Sequence, residues 1–242
     1  MRDALEVGYR SIDTAQSYFN EEEVGKAIEK SGIDRKEIFL TSKVWIEHFG
    51  YEECKKSVLE SVEKLRTDYL DLMLLHQPFG DTYGAWRALE ELYKEGKLHA
   101  IGISNHYTDR MVEFANFTNI KPMVNQILLH ISNTPMELVE YCQKNNIAVE
   151  AYSPIAHGEI LNQPEITTIA KKYGVTVPQL CIRYTLQLGA ISLPKTGNPE
   201  HMKSNAQLDF EISAEDMELL KNFKKIKSYG DSGVFPVYGG KM

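Results

Sequence analysis

The stretch GYRSIDTAQSYFNEEEVG, residues 8–25, decides how the rest of the chain is read. Residues 9–13 have strand character and end on the carboxylate of Asp13, residues 22–30 have helical spacing, and Tyr18 stands at the entry to that helix. A short apolar run followed by a longer amphipathic stretch then recurs along the whole sequence. Strands are expected near residues 9–13, 38–43, 70–76, 100–104, 123–126, 148–152 and 191–194. Helices are expected over 22–30, 51–65, 85–93, 109–117, 135–145, 166–173 and 177–188, where apolar positions such as Val58, Val62 and Leu65 fall three or four apart. Repetition of strand then helix argues for a parallel sheet.

A parallel series of about this length has two main solutions, an open doubly wound sheet or a closed eight-stranded barrel of roughly 250 residues. The polar residues choose between them. Asp13, Lys43, His76, Ser104, Asn105, Gln126, Tyr152 and Lys195 fall at or just beyond the C-terminal ends of seven different strands. In a barrel those ends meet at one mouth, whereas an open sheet strings them along an edge and carries a Gly-rich first turn that this chain lacks. The expected architecture is therefore an α/β (β/α)8 TIM barrel, a single domain over residues 1–242, lacking the N-terminal hairpin and first barrel strand. A barrel with that gap has two edges of unpaired backbone groups, which implies a partner, a rearranged terminus or a longer natural chain. Asn198 before Pro199 reads as the cap of a further helix, and residues 230–236 have the composition of a loop.

The 242 residues carry 27 Lys and Arg against 34 Asp and Glu, a net charge of −7, with 43% hydrophobic and 25% charged residues. This is the composition of a globular chain with a sizeable core, and it has no basic footprint for nucleic acid. Cys54, Cys142 and Cys181 are widely spaced, with neither a disulfide frame nor a zinc pattern. No window of 18 apolar residues is present, and the charged start MRDALEVG is unlike a signal peptide. The expectation is a cytoplasmic protein without membrane, metal or nucleic-acid partners.

With the strand ends in view, the sequence resembles the aldo-keto reductases, especially bacterial members similar to diketogluconate and methylglyoxal reductases. The resemblance runs from residues 8–25 through TSKVW (41–45), DLMLLHQP (71–78), GKLHAIGISN (96–105), KPMVNQ (121–126), AYSP (151–154) and LPKTGNPE (193–200), in order over nearly the whole chain. It implies a catalytic tetrad of Asp13, Tyr18, Lys43 and His76, reducing aldehydes, ketones or dicarbonyls by hydride transfer from NADPH. The residue types suit that chemistry. A phenol with an ordinary pKa near 10 is made a better acid by a neighbouring ammonium, so Tyr18 is the expected proton donor. Asp13 would hold Lys43, and His76 would orient and polarise the carbonyl oxygen. Singly, a strand-end Asp is often a turn residue, a Tyr in a helical turn is packing, and a His after an apolar run is a satisfied core residue. Four together at the family spacing favour the catalytic reading.

The same resemblance implies that Ser104, Asn105 and Gln126 meet the nicotinamide carboxamide, with Tyr152 stacked on the ring. It places Ser153 and Ile155 along the pyrophosphate and Lys195, Thr196 and Asn205 at the adenosine end, where the helix N-terminus near Asn198 would add amides. Family members commonly have Arg for the 2′-phosphate where this chain has His201, and Glu where it has Ser204. A histidine does not grip phosphate bidentately, so NADH is an expected second donor beside NADPH. Gln77 stands where many relatives have Trp, and His130 and Ile131 replace the usual His-Pro pair. Trp45, Phe79 and His76 are the expected walls of a small-carbonyl site. Competing readings are a cofactor-binding relative that is catalytically weak, regulatory or truncated, and a barrel lyase using Lys43 for a Schiff base. The resemblance implies a monomer, with self-association if the first strand is absent.

Overall fold

A computed structural model describes residues 1–226. The chain divides into two compact units, Met1–Asn125 and Gln126–Met242, with the boundary inside one strand. The loop expected at residues 230–236 lies outside the described residues.

The first unit opens on helix α1 (Arg2–Val7), followed by β1 (Ser11–Asp13), a 3-10 turn at Gln16–Tyr18, α2 (Glu21–Ser31) and β2 (Phe39–Val44). It continues with α3 (Tyr51–Lys64), β3 (Leu72–Leu75), α4 (Thr82–Lys94), β4 (Ile101–Ser104) and α5 (Thr108–Phe117). The strands pair in chain order and run parallel, with Asp13 beside Thr41, Lys43 beside Leu74, and Leu75 beside Ile103. Parallel strands all end on one edge of their sheet, so Asp13, Lys43, His76 and Ser104 leave it on the same side. β3 is apolar and buried along its whole length, as a strand covered on both faces must be.

The second unit holds β5 (Val124–Leu128), which begins in the first, then α6 (Met136–Lys144) and β6 (Ala148–Tyr152). α7 (Pro164–Lys172), α8 (Val177–Gln187), β7 (Ile191–Leu193), α9 (Pro199–Asn205) and α10 (Ala214–Lys221) follow. β6 and β7 are parallel, with Tyr152 beside Leu193, so the segments starting at Ser153 and Pro194 emerge together.

Most expected elements appear with shifted ends, and local chemistry explains the shifts. α4 begins three residues earlier than its periodicity predicts, because the Asp81 carboxylate accepts the Gly84 amide at 2.8 Å and caps the helix there. α9 starts where Asn198 predicts, with Asn198 Oδ1 accepting from the Glu200 amide at 2.9 Å. α10, capped by Ser213, has too short and weak an apolar stripe to be read from sequence. Cys54, Cys142 and Cys181 are buried and form no disulfide among the described residues. No described helix is long and apolar enough to cross a membrane.

Gly25 explains how α2 lies close to α3. A Cβ there would sit 2.7 Å from the Leu65 carbonyl carbon and 2.8 Å from the Lys64 oxygen, both rigid backbone. Gly25→Ala is expected to lower stability by about 1–3 kcal/mol, the cost of overpacking, measured by urea unfolding. An unchanged midpoint would mean that the helices separate without penalty.

Candidate active site

Lys43 is the centre of the first unit's polar cluster. Its side chain is 0% exposed, and Nζ donates to Asp13 Oδ1 at 2.5 Å and to the Thr14 carbonyl at 2.9 Å. A buried ammonium needs such acceptors, and the parallel register of β1 and β2 supplies them from the end of β1. Directly after Asp13 the chain turns through Gln16–Tyr18 and passes Phe19 in the left-handed region, φ 54°, before α2 begins. Tyr18 therefore rides on a 3-10 turn ahead of the helix. Its ring lies 5.1 Å from Lys43 Nζ, and the residue is 48% exposed.

His76 follows β3 and is fixed at both ends of its peptide unit. Its amide donates to the Val44 carbonyl at 3.1 Å, and its carbonyl accepts from Asn105 Nδ2 at 3.2 Å. Its ring meets Tyr18 edge-on at 5.7 Å between centroids and Trp45 at 5.2 Å. Burial, with the Lys43 charge as the second cause, pushes the imidazole down to about 3, so His76 is neutral at pH 7. Phe79 is half-buried and lies outside the ring contacts around His76 among the described residues.

A second layer of this cluster is not visible in the sequence. Gln16 Oε1 accepts the Trp45 amide at 2.8 Å, while its Nε2 donates to Ser57 O at 3.2 Å and Ser61 Oγ at 3.1 Å. Ser61 donates in turn to the buried Glu21 carboxylate at 3.3 Å, which also accepts from Ser42 at 2.6 Å. One side chain, Gln16, thus ties the turn that carries Tyr18 to the backbone that carries Trp45. Glu21 did leave a trace. It stands at i on α2 with buried Val24, Gly25 and Ile28 at i+3, i+4 and i+7, the spacing of an inward face.

The remaining sequence-chosen residues divide between the units. Ser104 ends β4 and Asn105 follows it, both buried, with Asn105 at φ 60° and its side-chain amide donating to Ser104 Oγ at 3.2 Å as well as to His76 O. In the second unit Gln126 donates to the buried Glu150 carboxylate at 2.8 Å. Ser153, Ile155, Lys195, Thr196, His201 and Asn205 come together around a cleft of about 740 Å³; Tyr152 is not among its lining residues. Asn205 is buried, whereas Lys195 and His201 are exposed. Ser153, Ala156 and His157 take φ of 50°, 47° and 51° in the loop after β6, and Ser153 Oγ meets His157 Nε2 at 3.1 Å. His157 also lines the cleft, and no motif or spacing around it singles it out. The expected contribution of amides before α9 is reduced, because Asn198 itself takes the Glu200 amide. Among the described residues no group of His, Cys, Asp and Glu is arranged for a metal ion.

The model of the Aldo/keto reductase family matches residues 1–225. The chain belongs to that family. Glyoxal reductase of Bacillus subtilis is 44% identical over 229 residues, 94% of this chain and 83% of that one. The crystal structure of MGS-M4, an aldo-keto reductase from a Medee basin deep-sea metagenome library, superposes with a TM-score of 0.90 at 40% identity, covering 94% and 86% of the two chains. A Bombyx mori aldo-keto reductase in complex with NADP gives a TM-score of 0.90 at 31% identity over 95% and 83%. The fold is accordingly the (β/α)8 barrel of the family, with seven of its strands among the described residues.

Three buried histidines are expected to make the fold sensitive to acid. Burial pushes His76 and His130 down to about 3 and His106 to about 4. Unfolded histidines titrate near 6.5, so below that pH the unfolded chain binds more protons than the folded one. Stability present above about pH 6.5 is expected to fall as pH drops toward 4, by up to about 1.4 kcal/mol per pH unit for each ring. Urea midpoints between pH 7.5 and 4.5 test this, and His106→Asn should flatten the slope. A slope unchanged in that variant would show that His106 is not held neutral.

Proposed function

We propose that this chain reduces small aldehydes, ketones or dicarbonyls to alcohols, using NADPH as hydride donor and Tyr18 as general acid. The observation that carries this reading is the Asp13–Lys43 pair set 5.1 Å from the Tyr18 ring, with neutral His76 edge-on to the same ring. NADPH, when bound, supplies the hydride that adds to the carbonyl carbon. As that C–H bond forms, the π pair moves onto oxygen, and the Tyr18 hydroxyl gives its proton there and becomes phenolate. Lys43 favours that phenolate, because an ammonium nearby stabilises the anion over the neutral phenol. Asp13 and the Thr14 carbonyl hold the cation in place, and both contacts favour the charged amine over the neutral one a Schiff base would need. His76, neutral at the working pH, acts as a hydrogen-bond donor to the carbonyl oxygen. Trp45, packed on His76, offers an apolar wall for a small substrate.

The cleft of the second unit fits the cofactor in size and donor chemistry. Its volume lies in the range of small-molecule sites, and the ammonium of Lys195, the hydroxyls of Thr196 and Ser153 and the imidazole of His201 suit a phosphate-bearing ligand. The NADP held by the Bombyx mori relative supports the same choice. His201 in place of a bidentate guanidinium weakens the distinction between NADPH and NADH.

Two substitutions test the reading. Tyr18→Phe should bind NADPH as the native chain does while losing at least about 100-fold in methylglyoxal or benzaldehyde reduction, followed by absorbance. Native turnover in that variant would remove Tyr18 from the mechanism. His201→Arg should shift the ratio of NADH to NADPH dissociation constants toward NADPH by about tenfold, the size of a charge-assisted contact. An unmoved ratio would mean that residue 201 does not meet the 2′-phosphate.

A further inference from the structure

A neutral imidazole carries one N–H and one lone pair, and which nitrogen holds the hydrogen is set by what the other one bonds to. For His76 nearly every other freedom is already removed. Its amide and carbonyl are bound by Val44 and Asn105, and its ring is flanked by the edges of Tyr18 and Trp45. The position of one hydrogen is what these contacts leave undecided. Ser17 Oγ lies 3.3 Å from His76 Nδ1, the one hydrogen-bond partner of this ring's nitrogens among the described residues. Ser17 is also the neighbour of Tyr18 on the 3-10 turn, so the turn that presents the acid presents this hydroxyl too.

We propose that Ser17 is a positioning residue that donates its hydroxyl hydrogen to His76 Nδ1 and so keeps the imidazole N–H on Nε2, where it meets the substrate oxygen. The inference rests on the carbonyl-reduction reading above and deepens it. A hydroxyl donates or accepts with equal ease, but the two outcomes differ chemically. Donation to Nδ1 leaves Nε2–H as a donor to an oxygen that gains negative charge. Acceptance from Nδ1–H would turn a lone pair toward that same oxygen, which opposes the reaction. Ser17 thereby acts on the carbonyl through His76.

Long-range 15N–1H spectra of the histidine rings, with His76 assigned by its loss in His76→Gln, test this directly. The native protein should show His76 protonated on Nε2, with Nδ1 a hydrogen-bonded acceptor. Ser17→Ala should move the Nδ1 resonance toward that of an unbonded lone-pair nitrogen. Single-turnover reduction should slow about two- to tenfold in that variant, the size of one net hydrogen bond, with the NADPH dissociation constant unchanged. Ser17→Thr, which keeps the hydroxyl, should restore both signal and rate. Protonation of native His76 on Nδ1, or His76 resonances that stay fixed in Ser17→Ala, would overturn the proposal. Because the spectra need no turnover, they separate its failure from that of the reduction reading, which falls if the native chain with NADPH reduces neither methylglyoxal nor benzaldehyde.

Discussion

A lysine ammonium buried without exposed surface is the constraint from which the first unit's site follows. An unpaired charge there would cost several kcal/mol, so β2 carries Lys43 only because β1 ends on Asp13 and continues through the Thr14 carbonyl. That requirement fixes more than one pair. It holds β1 in its register beside β2, and it starts the turn at Gln16 where Tyr18 is carried back toward the cation. The same charge contributes to keeping His76 neutral. Register, turn and protonation state therefore depend on one salt bridge, and the hydroxyl and amide network of Gln16, Ser42, Ser61 and Glu21 holds its surroundings still.

The second unit concentrates its strained backbone beside the cleft. Ser153, Ala156 and His157 adopt left-handed conformations that cost non-glycine residues about 1–2 kcal/mol each. Such strain persists only where surrounding structure imposes it, and here the loop lines the cleft beside Lys195 and Thr196. The parallel pairing of Tyr152 with Leu193 delivers both segments to the same edge. Asn198 closes the first turn of α9 by itself, so fixed side-chain donors, rather than an open helix end, carry most of the proposed phosphate recognition.

Much of this was legible in the sequence, and for a physical reason. Parallel strands put their C-terminal ends on one edge, so Asp13, Lys43, His76 and Ser104 could be picked out by asking which polar residues end apolar runs. What stayed hidden depends on partners far apart in the chain with no shared period. Gln16 reaches Ser57 and Ser61, and Ser17 reaches His76, across separations that leave no pattern in either segment. Glu21 sat in a run of three glutamates that reads as solvated charge, although its place on the inward face of α2 marked it. The left-handed turns after Ser153 and at Asn105 were equally silent, because neither depends on glycine.

The environment of each titratable group also supports the proposed division of roles among them. Where two groups are to divide acid and base work, their surroundings must drive their pKa values apart. His76, buried and beside a cation, is held near 3 and has no proton to give at neutral pH. Lys43 is occupied by a carboxylate and a carbonyl, both of which favour keeping its hydrogens. In the proposed mechanism the transferable proton therefore falls to Tyr18, a half-exposed residue. In that mechanism His76 acts through its hydrogen bond and not its charge, and for a neutral imidazole the direction of that bond is decided by whatever holds the other nitrogen.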